Sequence, residues 1–116
     1  MKLFLLAALS LVLISCAPGP SPDYLVGELR VEGTVTHADI SYQAWGGSGV
    51  NELFNVALPW AKTTDFVLSG ERFYLSARGN DAVGDLTVMA LADGDLLAAE
   101  TVSEPFGSVA IYGAAP

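Results

Sequence analysis

The chain has 116 residues, 52% of them hydrophobic, with 12 glycines, 6 prolines and a formal net charge of −8. That length holds one domain around one core, and the composition is that of a folded globule rather than a disordered segment. With 13 acidic residues against 5 basic ones, there is no broad basic footprint, which excludes nucleic acid and anionic lipid headgroups as electrostatic partners.

The N-terminus opens on Met1-Lys2 and an apolar run over residues 3–14 that only Ser10 interrupts. A positive start and an apolar stretch of that length are the two parts of a secretory signal, and the run stops short of the roughly 20 residues a membrane-spanning helix needs. It closes on Leu13-Ile14-Ser15-Cys16, which resembles the lipobox of bacterial lipoproteins. The resemblance implies cleavage between Ser15 and Cys16, a diacylglycerol thioether on the Cys16 sulfur and acylation, such as by palmitate, of the new amino group. One acyl chain anchors only marginally, while each buried CH₂ adds about 0.8 kcal/mol, so two or three chains hold a protein at a bilayer. With Cys16 the only cysteine and so modified, neither a disulfide nor a cysteine nucleophile is available to the mature monomer. Loss of residues 1–15 removes Lys2 and takes the formal charge from −8 to −8 − 1 = −9. Ala17 follows the cysteine, and resemblance to enterobacterial sorting favours the outer membrane over the inner. Residues 16–24 carry Pro18, Pro20 and Pro22; proline fixes φ and lacks a donor, so this stretch reads as a Pro-rich tether.

Over residues 25–113 the pattern changes to period two. Leu29, Val31, Gly33 and Val35 alternate with Glu28, Arg30, Glu32 and Thr34, the mark of a strand with one wet face. Further strands are predicted at 40–45, broken by Gly46-Gly47-Ser48-Gly49, and at 53–58, ended by Pro59. Segments 63–68 and 72–77 flank Ser69-Gly70-Glu71, with Phe66 and Leu68, then Phe73, Leu75 and Ala77 as their inward sets. Segments 86–92 and 96–102 flank Asp93-Gly94, a strong two-residue hairpin signal that also argues against a helix there. Residues 108–112 supply the last strand, leaving 114–116 as a C-terminal tail. About seven to eight short strands with no amphipathic helix to cover a sheet predict an all-β chain, a single antiparallel β-sandwich of immunoglobulin-like kind. The expected core is Leu29, Val31, Ile40, Tyr42, Phe54, Val56, Leu58, Phe66, Phe73, Leu75, Leu86, Val88, Val109 and Ile111. At roughly 1.5–3 kcal/mol for each large side chain buried, that set can fold the domain without a cystine.

Residues 55–80, NVALPWAKTTDFVLSGERFYLSARGN, resemble the centre of the mycobacterial small membrane protein (MmpS) family. The motif residues are Leu58-Pro59-Trp60-Ala61-Lys62-Thr63 and Leu75-Ser76-Ala77, with looser agreement across most of residues 29–112. The resemblance implies a periplasmic β-sandwich serving as accessory to an RND-type, MmpL-like transporter. Two departures stand out. That family has a transmembrane helix where this chain has a lipobox, and its frequent cysteine pair falls near Val88 and Tyr112, which would pack in the cystine's place.

Three aromatic residues are candidates for a binding surface. Trp45 lies beside a glycine-rich loop and opposite in parity to Tyr42; Trp60 begins a corner after Pro59; Tyr74 is opposite in parity to Phe73 and Leu75. For Trp60 the leading reading is structural, a cover for the end of the sandwich, and for Trp45 and Tyr74 the alternative is a half-buried edge position. His37 is the sole histidine, read as a surface turn residue with no second imidazole for zinc. A Ser41, His37 and Asp39 set can be drawn on paper, but adjacent strand positions face opposite ways and no nucleophile elbow surrounds them, so no catalytic residue is assigned. Asp93-Gly94-Asp95, and Asn80-Asp81 with Asp85, bring oxygens together as calcium sites do, yet lack the twelve-residue loop pattern and read as turns. No metal or cofactor is assigned. Three functions remain: a non-enzymatic binding or accessory module in the envelope, a carrier of a small apolar ligand or lipid between the sheets, and a structural surface lipoprotein.

Overall fold

A computed structural model describes residues 24–116; the signal segment, Ser15 and Cys16 lie outside the described residues. Eight antiparallel strands make up the domain: β1 Leu25–Gly33, β2 His37–Gln43, β3 Asn51–Ala57, β4 Trp60–Val67, β5 Arg72–Gly79, β6 Leu86–Ala92, β7 Asp95–Val102 and β8 Ser108–Ala114. They form two sheets, ordered β4-β1-β6-β7 and β3-β2-β5-β8. The fold is an all-β antiparallel sandwich, as the period-two patterning predicts. Only β2–β3 and β6–β7 are hairpins within a sheet; every other connection crosses between the sheets. The second sheet has the C′-C-F-G order of immunoglobulin-like sandwiches, β1 and β4 pair as B and E do, and β6 lies beside β1 where strand A would.

Alternation builds the core. Leu29 and Val31 of β1, Ala38 and Ile40 of β2, Phe73, Leu75 and Ala77 of β5, and Leu86, Val88 and Ala90 of β6 are buried between the sheets. Tyr42, Val56, Leu58 and Val109 pack around them at the rim, half-buried. The Asp93-Gly94 hairpin forms as expected: Ala92 pairs with Asp95, and both turn residues take positive φ, 50° and 84°, which a two-residue loop between twisted strands requires. The Asp93 N–H donates to the Val26 carbonyl at 2.8 Å, and Val26 N–H donates to Asp93 Oδ1 at 2.8 Å, so the turn also secures the start of β1.

Two expected core residues lie outside. Phe54 is 74% exposed and Phe66 72% exposed, and both lie at β-bulges on edge strands. In β3, Phe54 and Asn55 together oppose Asp39, between the pairs Ala38↔Val56 and Ile40↔Leu53. In β4, Asp65 and Phe66 oppose Val26, between Leu25↔Val67 and Gly27↔Thr64. Each bulge holds a left-handed residue, Asn55 at φ 52° and Phe66 at φ 61°. The extra residue flips the parity of the strand, so Leu53 and Val67 turn inward in place of Phe54 and of Phe66 and Leu68.

Trp45 is a correction of the opposite sign, because it is 4% exposed. Strand β2 ends at Gln43, so parity counted from Tyr42 no longer applies two residues on. The chain turns, and the indole crosses the end of the sandwich to lie on Phe73, ring centroids 5.0 Å apart. Gly27 makes room for it: a Cβ there would come within 2.6 Å of the ring. The C-terminal tail also belongs to the fold. Ala114 is in β8, and Ala115 is buried, donating to the Glu71 carbonyl at 2.8 Å and accepting from Gly70 N–H at 2.9 Å. Val88 and Tyr112 do not pack together, since Val88 faces the core while Tyr112 is 80% exposed on the outer side of the second sheet.

Both edges of the first sheet carry a charge on their core-facing side. Lys62 of β4 pairs with buried Leu29, and Glu100 of β7 pairs with buried Val88. Paired residues share a face of the sheet, yet both charges reach solvent at the rim.

Candidate functional site

The outer face of the second sheet is built in three cross-strand rows. Asp39, Arg78 and Ser108 form one, Ser41, Ser76 and Ala110 the next, and Gln43, Tyr74 and Tyr112 the third. Because every second residue of a strand points the same way, the small middle row lies between two bulkier ones and leaves a trough. A hollow of about 390 Å³ opens there, lined by Asp39, Ser41, Tyr74, Ser76, Arg78 and Ser108 among others. A second hollow of about 460 Å³ lies at the other end of the same strands, against Gln43, Arg72, Tyr112, Gly113 and Ala114, with Phe73 at its base. Both are on the side of the sheet away from the core, where hydroxyls, two guanidinium groups and two phenol rings meet solvent.

The charges on this face are open to a partner. Among the described residues the only ion pair is Arg30–Glu28, at 3.1 Å on the first sheet, where Glu28 raises the Arg30 pKa by hydrogen bonding and by its charge. Arg72 and Arg78 take no part in it. Asp39 Oδ1 accepts from Asn55 N–H at 2.9 Å and from the Asn80 amide at 3.3 Å, so the β3 bulge and the loop after β5 fix the carboxylate at the edge of the trough.

The predicted site residues separate. Tyr74 is on the outer face, half-buried, in the wall of the 390 Å³ hollow. Trp60, the first residue of β4, lies on the inner side, tilted on Tyr42 with ring centroids 5.2 Å apart, and covers the open edge of the sandwich. Trp45 is in the core. The structure therefore does not bring the three together, and the exposed aromatic beside Tyr74 is Tyr112, its cross-strand partner. Tyr112 could have been found from the sequence by continuing the alternation that places Val109 and Ile111 inward.

His37, Asp39 and Ser41 occupy every second position of β2 and so share the outer face; parity does not separate them, contrary to the sequence argument. Their hydrogen bonds do. His37 Nδ1 lies 3.1 Å from Thr36 Oγ1, in the first position of β2 rather than in a turn, while Asp39 is engaged by Asn55 and Asn80. Asp81 accepts from Thr36 N–H at 2.8 Å and from its hydroxyl at 3.1 Å, and Asp93 holds Val26. These two carboxylates tie loops to strands, and no group of three His, Cys, Asp or Glu side chains able to hold a metal occurs among the described residues. No protein-family model matches the chain, and no curated protein matches it.

Proposed function

We propose that this protein is a cell-envelope lipoprotein that works by binding, with the outer face of the second sheet as its contact surface for another envelope component. The observation that carries this reading is the three-row surface, a trough of Ser41, Ser76 and Ala110 between Asp39–Arg78 and Tyr74–Tyr112. Tyrosine and arginine are the residues that supply binding energy in protein contacts, through large rings and forked donors. Small residues between them admit an inserted side chain or an extended segment. Cys16 is the lipid anchor in this reading, and the outer membrane is the location that Ala17 favours.

The partner suggested by resemblance is an RND-type transporter, with Ser76 of the Leu75-Ser76-Ala77 motif in the trough. A carrier would hold its ligand between the sheets, but Leu29, Val31, Leu75, Leu86 and Val88 fill that space, and the two hollows lie outside it. The test is site-specific photo-crosslinking in intact cells from position 112, with a control at Thr101 on the opposite sheet. A discrete adduct with a transporter subunit from position 112 and none from 101 is expected. Equal adducts from both faces, or a stoichiometric lipid on the purified protein, would overturn the binding reading.

A further inference from the structure

The first sheet carries an apolar patch on its outer face, at the end where the chain arrives from the tether. Val26 of β1, Leu91 of β6 and Leu96 of β7 point outward there, and Leu96 is 58% exposed. Phe66 stands out from the β4 bulge, and Tyr24 meets it edge-on with ring centroids 5.4 Å apart. An aromatic residue held at positive φ and turned to water is unfavourable on both counts. Strain of this kind persists where the surrounding structure imposes it and is a pointer to function.

We infer that this patch rests on the bilayer that anchors the protein, so that the second sheet faces away from the lipid. The inference depends on the lipid-anchor reading of Cys16. Eight residue steps separate Cys16 from Tyr24, which even fully extended reach at most about 29 Å. Tyr24 is itself part of the patch, so the anchor ends beside the surface it would seat. The chemistry fits an interface without basic groups: no lysine or arginine belongs to the patch, Glu28 opposite Leu91, Asp93 bonded to Val26, Asp65 and Asp95 form its margin, and Phe66 with Tyr24 presents an apolar body and a phenol tip of the kind favoured at headgroup level. A zwitterionic lipid surface is therefore the occupant, and anionic lipid adds nothing to the contact.

The test uses the full lipidated protein in phosphatidylcholine vesicles. With Cys16 blocked by its lipid, Phe66→Cys and, separately, Tyr112→Cys each offer one thiol for a nitroxide spin label. The label at position 66 is expected to be relaxed more by oxygen than by a water-soluble nickel chelate, and the label at 112 to show the reverse. Equal aqueous exposure at both positions in a vesicle-bound protein would overturn the inference while leaving the anchor reading intact. Dipolar broadening between labels at position 66 would also overturn it, by showing that a second copy covers the patch. Absence of lipid from Cys16 by mass spectrometry would remove the anchor reading, and this inference with it.

Discussion

The two sheets bury the same kind of aliphatic core but turn different chemistry outward. The outer face of the first is apolar at the Tyr24 end, with Val26, Phe66, Leu91 and Leu96, and further along is closed by its own polar pairs, Arg30 with Glu28 and Thr87 with Thr101 at 2.8 Å. The outer face of the second is open: Arg72, Arg78 and Tyr112 have no such partners, and its small residues leave room. Core formation uses only the inward half of each strand, so the outward half is free to differ. It is there, in the positions the folding pattern ignores, that the two sheets acquire different surfaces.

The sharpest way to break this comparison is at the core they share. Trp45→Ala should cost about 3–5 kcal/mol, as large aromatic truncations in cores do, and lower the melting temperature by more than about 12 °C; a change within 2 °C in thermal denaturation would show that the indole is not packed on Phe73. Gly27→Ala should cost about 1–3 kcal/mol through the overpacked ring of Trp45, measured by urea unfolding, and the double variant Gly27→Ala with Trp45→Ala should recover the glycine's share. Asp81→Ala removes the acceptor for the Thr36 N–H and hydroxyl and should cost about 1 kcal/mol. The two outer faces should be nearly silent in stability. Phe66→Asn exchanges a lost edge contact with Tyr24 for a relaxed left-handed residue and should move stability by under about 1 kcal/mol. Arg78→Ala should change it by less than about 0.5 kcal/mol while abolishing the partner adduct formed from position 112, which separates contact from folding.

Much of the architecture was legible from residue order. Strands β5 to β8, the Asp93-Gly94 hairpin and the inward positions Leu29, Ile40, Phe73, Leu75 and Val88 all follow from alternation and turn chemistry. What escaped was caused by single-residue insertions. A bulge changes parity without changing composition, so Phe54 and Phe66 look like core until the register with Asp39 and Val26 is known. Trp45 escaped because alternation stops where its strand does. For the candidate site, Tyr74 was legible from its own strand. The trough was not, since Ser41, Ser76 and Ala110 become neighbours only through a strand order that joins segments more than thirty residues apart in sequence.

Lys62 and Glu100 guard the two rims of the first sheet. An unpaired strand edge is a template for another chain, and a charge that must be buried to complete the join is a known deterrent. Copies that meet side-on present the geometry in which sheets fuse. Placed at both rims, these two charges oppose that fusion and favour the separate molecule over a continuous sheet.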